Sequence, residues 1–103
     1  MQNSSTKSET LLAKLNAETA KISWRELQRF FASGKAIYVD STLDLIHTAS
    51  LMVEDDTAQL KPLMDAQQFA PVSDQQAEIW YEQDENLWAV VVSPWVLVQE
   101  QKK

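Results

Sequence analysis

Few side chains in this sequence can do chemistry, and the first is His47, the only histidine. Asp44 and Ser50 stand three positions to either side of it and Glu54 two turns further on, so on a helix these four side chains share one face, away from the apolar stripe. An imidazole held by acidic neighbours is a proton carrier, and any Ser-His-Asp arrangement in this chain has to use it. Spacing along one helix, however, cannot aim a nucleophile at a substrate, so the plainer reading is a solvent-facing histidine beside ordinary surface acids. Glu54, Asp55 and Asp56 form the densest acidic cluster, with the oxygen ligands that suit magnesium or calcium. Three consecutive side chains splay apart, and no calcium loop with a central glycine surrounds them. A helix end followed by the cap of the next helix accounts for the cluster better. No metal or other cofactor is expected.

The rest of the inventory excludes more than it offers. There is no cysteine, which removes disulfides, thiolate nucleophiles and thiolate zinc sites. A single glycine, Gly34, leaves neither a phosphate loop nor a dinucleotide fingerprint, since both need several glycines where backbone approaches phosphate. Charge is lopsided: residues 1–39 carry a net +3 and residues 40–101 a net −11, within a total of −6. Such a field suits a basic partner or a second copy of the chain. It opposes nucleic acid, although Leu60, Leu63, Met64, Phe69, Val72 and the helix opening at Ser73 have the rhythm of a helix-turn-helix.

These residues must be positioned by one domain, because 103 residues allow one core. Met1–Ser8 reads as a disordered arm, residues 9–100 as a single α+β domain and residues 101–103 as a tail. The polar stretch Met1–Lys14 lacks the apolar run of a signal peptide, and Leu87–Val92 is far short of the roughly 20 residues of a membrane span. The expectation is therefore a cytoplasmic protein that does not bind membranes.

The periodicity predicts about five helices on a small sheet of about three strands. Leu11, Leu12, Leu15, Thr19 and Ile22 mark the apolar face of the first helix. Ser23 and Glu26 form a capping box for the second, whose stripe is Trp24, Leu27, Phe30 and Phe31, and Gly34 closes it. Ala36–Val39 is a short strand. Asp40, Ser41 or Thr42 caps a third helix running to about Glu54, and Asp56 caps a fourth in which Pro62 should cause a kink or an early stop. Ser73 and Gln76 form a second capping box for the fifth, to about Asp84. Leu87–Val92 and Trp95–Gln99 are strands divided by Ser93 and Pro94. No internal repeat is visible.

The last two strands are apolar on both faces and so need cover on both sides. That points to a homo-oligomer or another protein partner, with Trp95, Val96, Leu97 and Val98 as the contact. Trp24, Trp80 and Trp88 are read as core or interface, and Lys14, Lys21, Arg25 and Arg29 as an outward basic group. The run Ala13-Lys14-Leu15-Asn16-Ala17-Glu18-Thr19-Ala20-Lys21-Ile22 with Trp24, Glu26 and Leu27, and the closing run from Trp88 to Gln99, resemble an uncharacterised family of small bacterial proteins catalogued only as domain of unknown function 2288. The likeness spans about residues 11 to 100. It implies a bacterial, cytosolic origin and supplies no activity or catalytic residue, and Pro62 departs from the ordinary helical residue expected in that place.

The sequence therefore reads as a non-catalytic interaction module that self-associates through its C-terminal strands. The alternative is a small-molecule binder or carboxylate-based enzyme with a pocket between helices and sheet, using Asp40 or Asp44.

Overall fold

The computed structural model describes the backbone of residues 4–101 and the side chains of residues 10–101. Met1–Asn3, Lys102 and Lys103, at the ends of the expected arm and tail, lie outside the described residues. The elements are α1 (Ser4–Glu18), β1 (Ala20–Ser23), α2 (Trp24–Ala32), β2 (Ala36–Val39), α3 (Leu45–Val53), α4 (Thr57–Asp65), β3 (Phe69–Pro71), α5 (Asp74–Glu82), β4 (Asn86–Val92) and β5 (Trp95–Glu100). The fold class is α+β with five helices, as the periodicity indicates, but the sheet has five strands where three were expected. The two unexpected strands are the sheet's edges, in the order β1-β4-β5-β2-β3.

Both edge strands hide behind other signals. Ile22 keeps helical spacing with Leu15, yet α1 stops at Glu18, where Thr19 turns its hydroxyl back on the Leu15 carbonyl at 2.7 Å. The chain then pairs with β4, placing Ile22 opposite Leu87. β3 has only three residues and ends in Pro71, which can stand at an edge because it owes no ladder donor. α1 begins at Ser4, inside the stretch expected to lack structure.

The caps explain the helix starts. Ser73 and Gln76 form the expected reciprocal box. At α2 the Ser23 hydroxyl accepts from the Glu26 N–H, while the Glu26 carboxylate accepts from that hydroxyl instead of from the Ser23 backbone. α3 starts later than expected, at Asp44, which accepts from the His47 N–H at 3.0 Å. Asp40 instead closes a turn with Thr42. Asp56 caps α4, which runs on through Pro62 to Asp65.

The sheet lies between two helical layers. One face holds Leu15, Ile37, Val39, Leu45, Ala49, Leu60, Val90 and Leu97 under α1, α3 and α4. The other holds Trp24, Leu27, Ala77, Trp80, Leu87, Ala89, Val96 and Val98 under α2 and α5. Val96, Leu97 and Val98 are 0% exposed, because β5 lies between β2 and β4 and is covered above and below. Their apolar character on both faces thus answers to helices of the same chain. α4 and α5 sit on opposite faces with β3 between them, so the helix-turn-helix rhythm does not produce that motif.

A repeat emerges that no run of identical residues announces. Residues 20–39 and 70–89 both run strand, serine cap, nine-residue helix, left-handed residue, strand, at a constant offset of 50. Ser23 and Ser73 are the caps, and Gly34 at φ 75° and Asp84 at φ 51° are the left-handed closures. Each closure is followed by the same pair of bonds: Gly34 N–H to Phe31 O and Lys35 N–H to Phe30 O in one unit, Asp84 N–H to Tyr81 O and Glu85 N–H to Trp80 O in the other. Exchanging the units reverses the strand order without changing it, so an approximate two-fold axis passes through β5. α2 and α5, the two crossover helices, lie side by side on one face, where Trp24 and Trp80 meet edge to face at 5.1 Å.

Candidate functional site

His47 is exposed, and with Asp44, Leu12 and Asn16 it borders a shallow hollow between α1 and α3. Ser50 does not join it on the outer face: it is buried, and its hydroxyl donates to the His47 carbonyl at 2.6 Å. The structure therefore separates the histidine from the nucleophile its spacing suggested. Glu54 ends α3, Asp55 takes the left-handed conformation at φ 54°, and Asp56 accepts from the Gln59 backbone and side-chain N–H groups. Three consecutive acids thus build a helix-to-helix turn. Among the described residues, no group of three or more His, Cys, Asp or Glu side chains is placed to hold a metal.

Asp40 is held below the usual carboxylate range, first by the Thr42 hydroxyl and then by the Thr42 backbone N–H, both donating to its Oδ1. On the far side of the same sheet end, burial and the nearby Asp40 and Glu100 carboxylates raise the Tyr38 phenol, and Glu100 accepts from the Trp80 indole at 3.1 Å. Gln99 spans the loop after β2, its amide donating to the carbonyls of Asp40 and Leu43. Asp40, Glu100 and Gln99 each serve a structural hydrogen bond.

A larger concavity than the hollow beside His47 lies between the middle of α1, the end of α3 and the turn joining β4 to β5, where the Ser93–Pro94 peptide is cis. It is an open groove of about 860 Å³. Leu11, Met52, Val53, Val92 and Trp95 supply its apolar wall, while Lys14, Glu18 and Asp55 bring charge. Val53 is 47% exposed, high for an apolar residue in regular structure. Trp95 is half-buried, with the Lys35 ammonium 4.8 Å from its ring. Of the four residues expected to form the contact, Trp95 alone has surface to offer. Val53, Val92 and Lys14 were not predicted as groove residues, because they come from three segments distant in sequence and none carries a signal of its own.

The basic residues are not an undifferentiated solvated face. Lys21 lies over Trp88 at 5.0 Å and Arg29 over Phe30 at 5.1 Å; Arg25 lies over Tyr81 at 4.6 Å and pairs with Asp84 at 3.5 Å. Lys14 has no ring or carboxylate partner among the described residues, nor do Glu18 and Asp55 have a cation within 4 Å. All three stand in the groove. Every groove residue also falls outside the repeated segments 20–39 and 70–89.

The sequence profile of a family described as Protein of unknown function (DUF2288) matches residues 10–100. The chain belongs to that family. Among solved structures it is similar to the protein PA1075 from Pseudomonas aeruginosa, determined by NMR in solution, with 40% identity and a TM-score of 0.80 over 100% of this chain and 95% of that one. No curated protein matches. The family's description names no activity. Among the described residues of this DUF2288 member, no helix is long and apolar enough to cross a membrane.

Proposed function

We propose that this protein is a non-catalytic interaction module of the cytoplasm that binds a protein chain through the groove between α1, α3 and the β4–β5 turn. The observation carrying this reading is the groove's composition: the half-exposed Val53 stands with Leu11 and Trp95 in its wall, beside charges that have no ion-pair partner within 4 Å among the described residues. An apolar centre with a charged rim is the composition of a protein contact. In this reading Trp95 belongs to the contact, with Val53 and Leu11 in the place of the buried Val96, Leu97 and Val98. Nucleic acid is disfavoured as an occupant by the net charge of −6.

The competing reading, a small-molecule binder or carboxylate enzyme acting through Asp40 or Asp44, has less support. Both carboxylates already accept backbone N–H bonds in a turn and a cap. The test is cross-linking and capture from the native cell with the wild-type chain and with Val53→Lys/Lys14→Glu. A protein held by the wild type and released by the variant supports the reading, while equal capture by both refutes it.

A further inference from the structure

We infer that the open edge of β1 is a strand-addition site, where an extended segment of another protein pairs with residues 20–23 and sets a carboxylate opposite Lys21. The ladder fixes which backbone groups are free. Trp24 donates its N–H to the Glu85 carbonyl at 2.8 Å, and the antiparallel pairs Ile22–Leu87 and Ala20–Ala89 continue that register. Bonded pairs recur at every second residue, so the N–H and C=O of Lys21 and the N–H of Ser23 point away from β4. Neither N–H has an acceptor among the described residues, since the Glu26 carboxylate, which could take the Ser23 N–H, accepts from the Ser23 hydroxyl. The opposite edge of the sheet is closed to such pairing. In β3 the bonds from Asp40 N–H to Gln68 O and from Val72 N–H to Ala36 O leave Phe69 and Pro71 facing outward, and Pro71 has no N–H to give. β1 holds neither a proline nor a bulge.

The side chains select the occupant. Lys21 stands opposite Trp88 with its ammonium 5.0 Å from that partly exposed ring, and no carboxylate lies within 4 Å of it among the described residues. The hollow beside Trp88 is lined by Asn16, Thr19, Leu45, Ile46 and Gln99, none of them charged. Ala20 and Ile22 alternate to the other face, where Ile22 packs against the core under α2 and α5. A strand laid along this edge therefore meets a cation between two apolar positions, and its complement reads apolar, acidic, apolar. A second copy fits worse, because the register that exchanges both Lys21 bonds sets ammonium against ammonium. Residues 20–23 take no part in the groove, so this site and the groove stand or fall separately.

NMR titration of the full chain with the blocked peptide Ser-Val-Glu-Val-Ser tests this. Shifts should centre on residues 20–23 and the Trp88 indole, and at saturation amide exchange at Lys21 and Ser23 should slow by about tenfold or more. A peptide with Lys in place of the Glu should bind about tenfold more weakly, since an attractive cross-strand pair becomes a repulsive one. N-methylation of the Glu removes the donor to the Lys21 carbonyl and should abolish binding. Lys21→Glu should reverse the preference between the Glu and Lys peptides. Lys21→Pro, which removes only an outward N–H, should abolish binding with an unchanged circular dichroism spectrum, and the charge reversal keeps the test decisive should that variant unfold. No binding at millimolar peptide, equal binding of the N-methylated peptide, or an unreversed preference in folded Lys21→Glu overturns the inference. Protection at Lys21 that grows with protein concentration in the absence of peptide gives the edge to a second copy and overturns it too.

Discussion

The two faces of this sheet are built differently. Over one face α2 and α5, related by the internal two-fold, close on Trp24, Trp80 and the inward residues of β4 and β5, and Trp24 is left with no exposed surface. Over the other, α1, α3 and α4 have no such relation to one another, and they stop short of the sheet end where β4 turns into β5. β4 runs three residues past the segment matching β2, and this extension, residues 90–92, brings Val92 to the groove opposite Trp95. The repeated part of the chain makes a packed scaffold, and the unrepeated part makes the groove. Core packing and the groove are thus divided between segments, which lets a change in one be tested without the other.

The largest difference is expected from truncating each side. Trp24→Ala should cost about 4 kcal/mol of unfolding free energy, since a fully buried aromatic leaves a cavity that the sheet cannot fill. Val53→Lys, half in water already at the end of α3, should cost within about 0.5 kcal/mol, and urea titration of both proteins measures the contrast. Equal losses would abolish the distinction between scaffold and surface.

Trp80→Phe comes next, because it keeps a ring but strips the Glu100 carboxylate of its indole donor, costing about 2 kcal/mol. Trp24→Phe should be milder: the Trp24 indole N–H is buried without a hydrogen-bond partner, so nothing is left unpaired by its loss. Thermal melts of the two variants rank them. Within the repeat itself, Gly34→Ala should cost about 1 kcal/mol, since φ there is 75° while nothing stands within 4 Å of the added methyl.

Much of this arrangement was legible in the sequence where local chemistry sets structure. The serine caps at 23 and 73, the Asp56 cap and the Gly34 closure specify helix ends through bonds to their own neighbours, and the structure has them. What depended on distant residues was not legible. Val96, Leu97 and Val98 looked in need of an external partner because their cover comes from helices far away in the chain, Leu15 of α1 among them. Ile22 fitted a helical face and was claimed by the sheet, which offered it pairing with Leu87. The repeat escaped notice because an offset of 50 preserves caps and apolar positions but few identities, putting Leu27 beside Ala77 and Gly34 beside Asp84. The candidate site was the least legible, since the chemistry-bearing residues His47, Glu54, Asp55 and Asp56 turn out to border or end helices, and the groove draws on α1, α3 and the β4–β5 turn at once.

Two smaller effects sharpen the picture. The Asp40 carboxyl is held low by Thr42, so its contribution to stability is present above the ordinary carboxylate pKa and is lost as pH falls through about 4 and below. Thr42→Val should flatten that acid limb in unfolding measured against pH, by lowering stability at neutral pH toward its value in acid. His47→Ala should change neither the melting temperature nor capture of a protein from the native cell. A loss of capture with the fold intact would return the histidine to the candidate site.

Amide hydrogen exchange with and without the protein captured from the native cell tests the division most directly, since it reports protection along the whole chain at once. Protection should grow at residues 11–18, 52–55 and 92–95 in the complex, while α2 and α5 keep the rates of the free chain. Added protection on α2 and α5, or none anywhere, would contradict the groove as the docking surface.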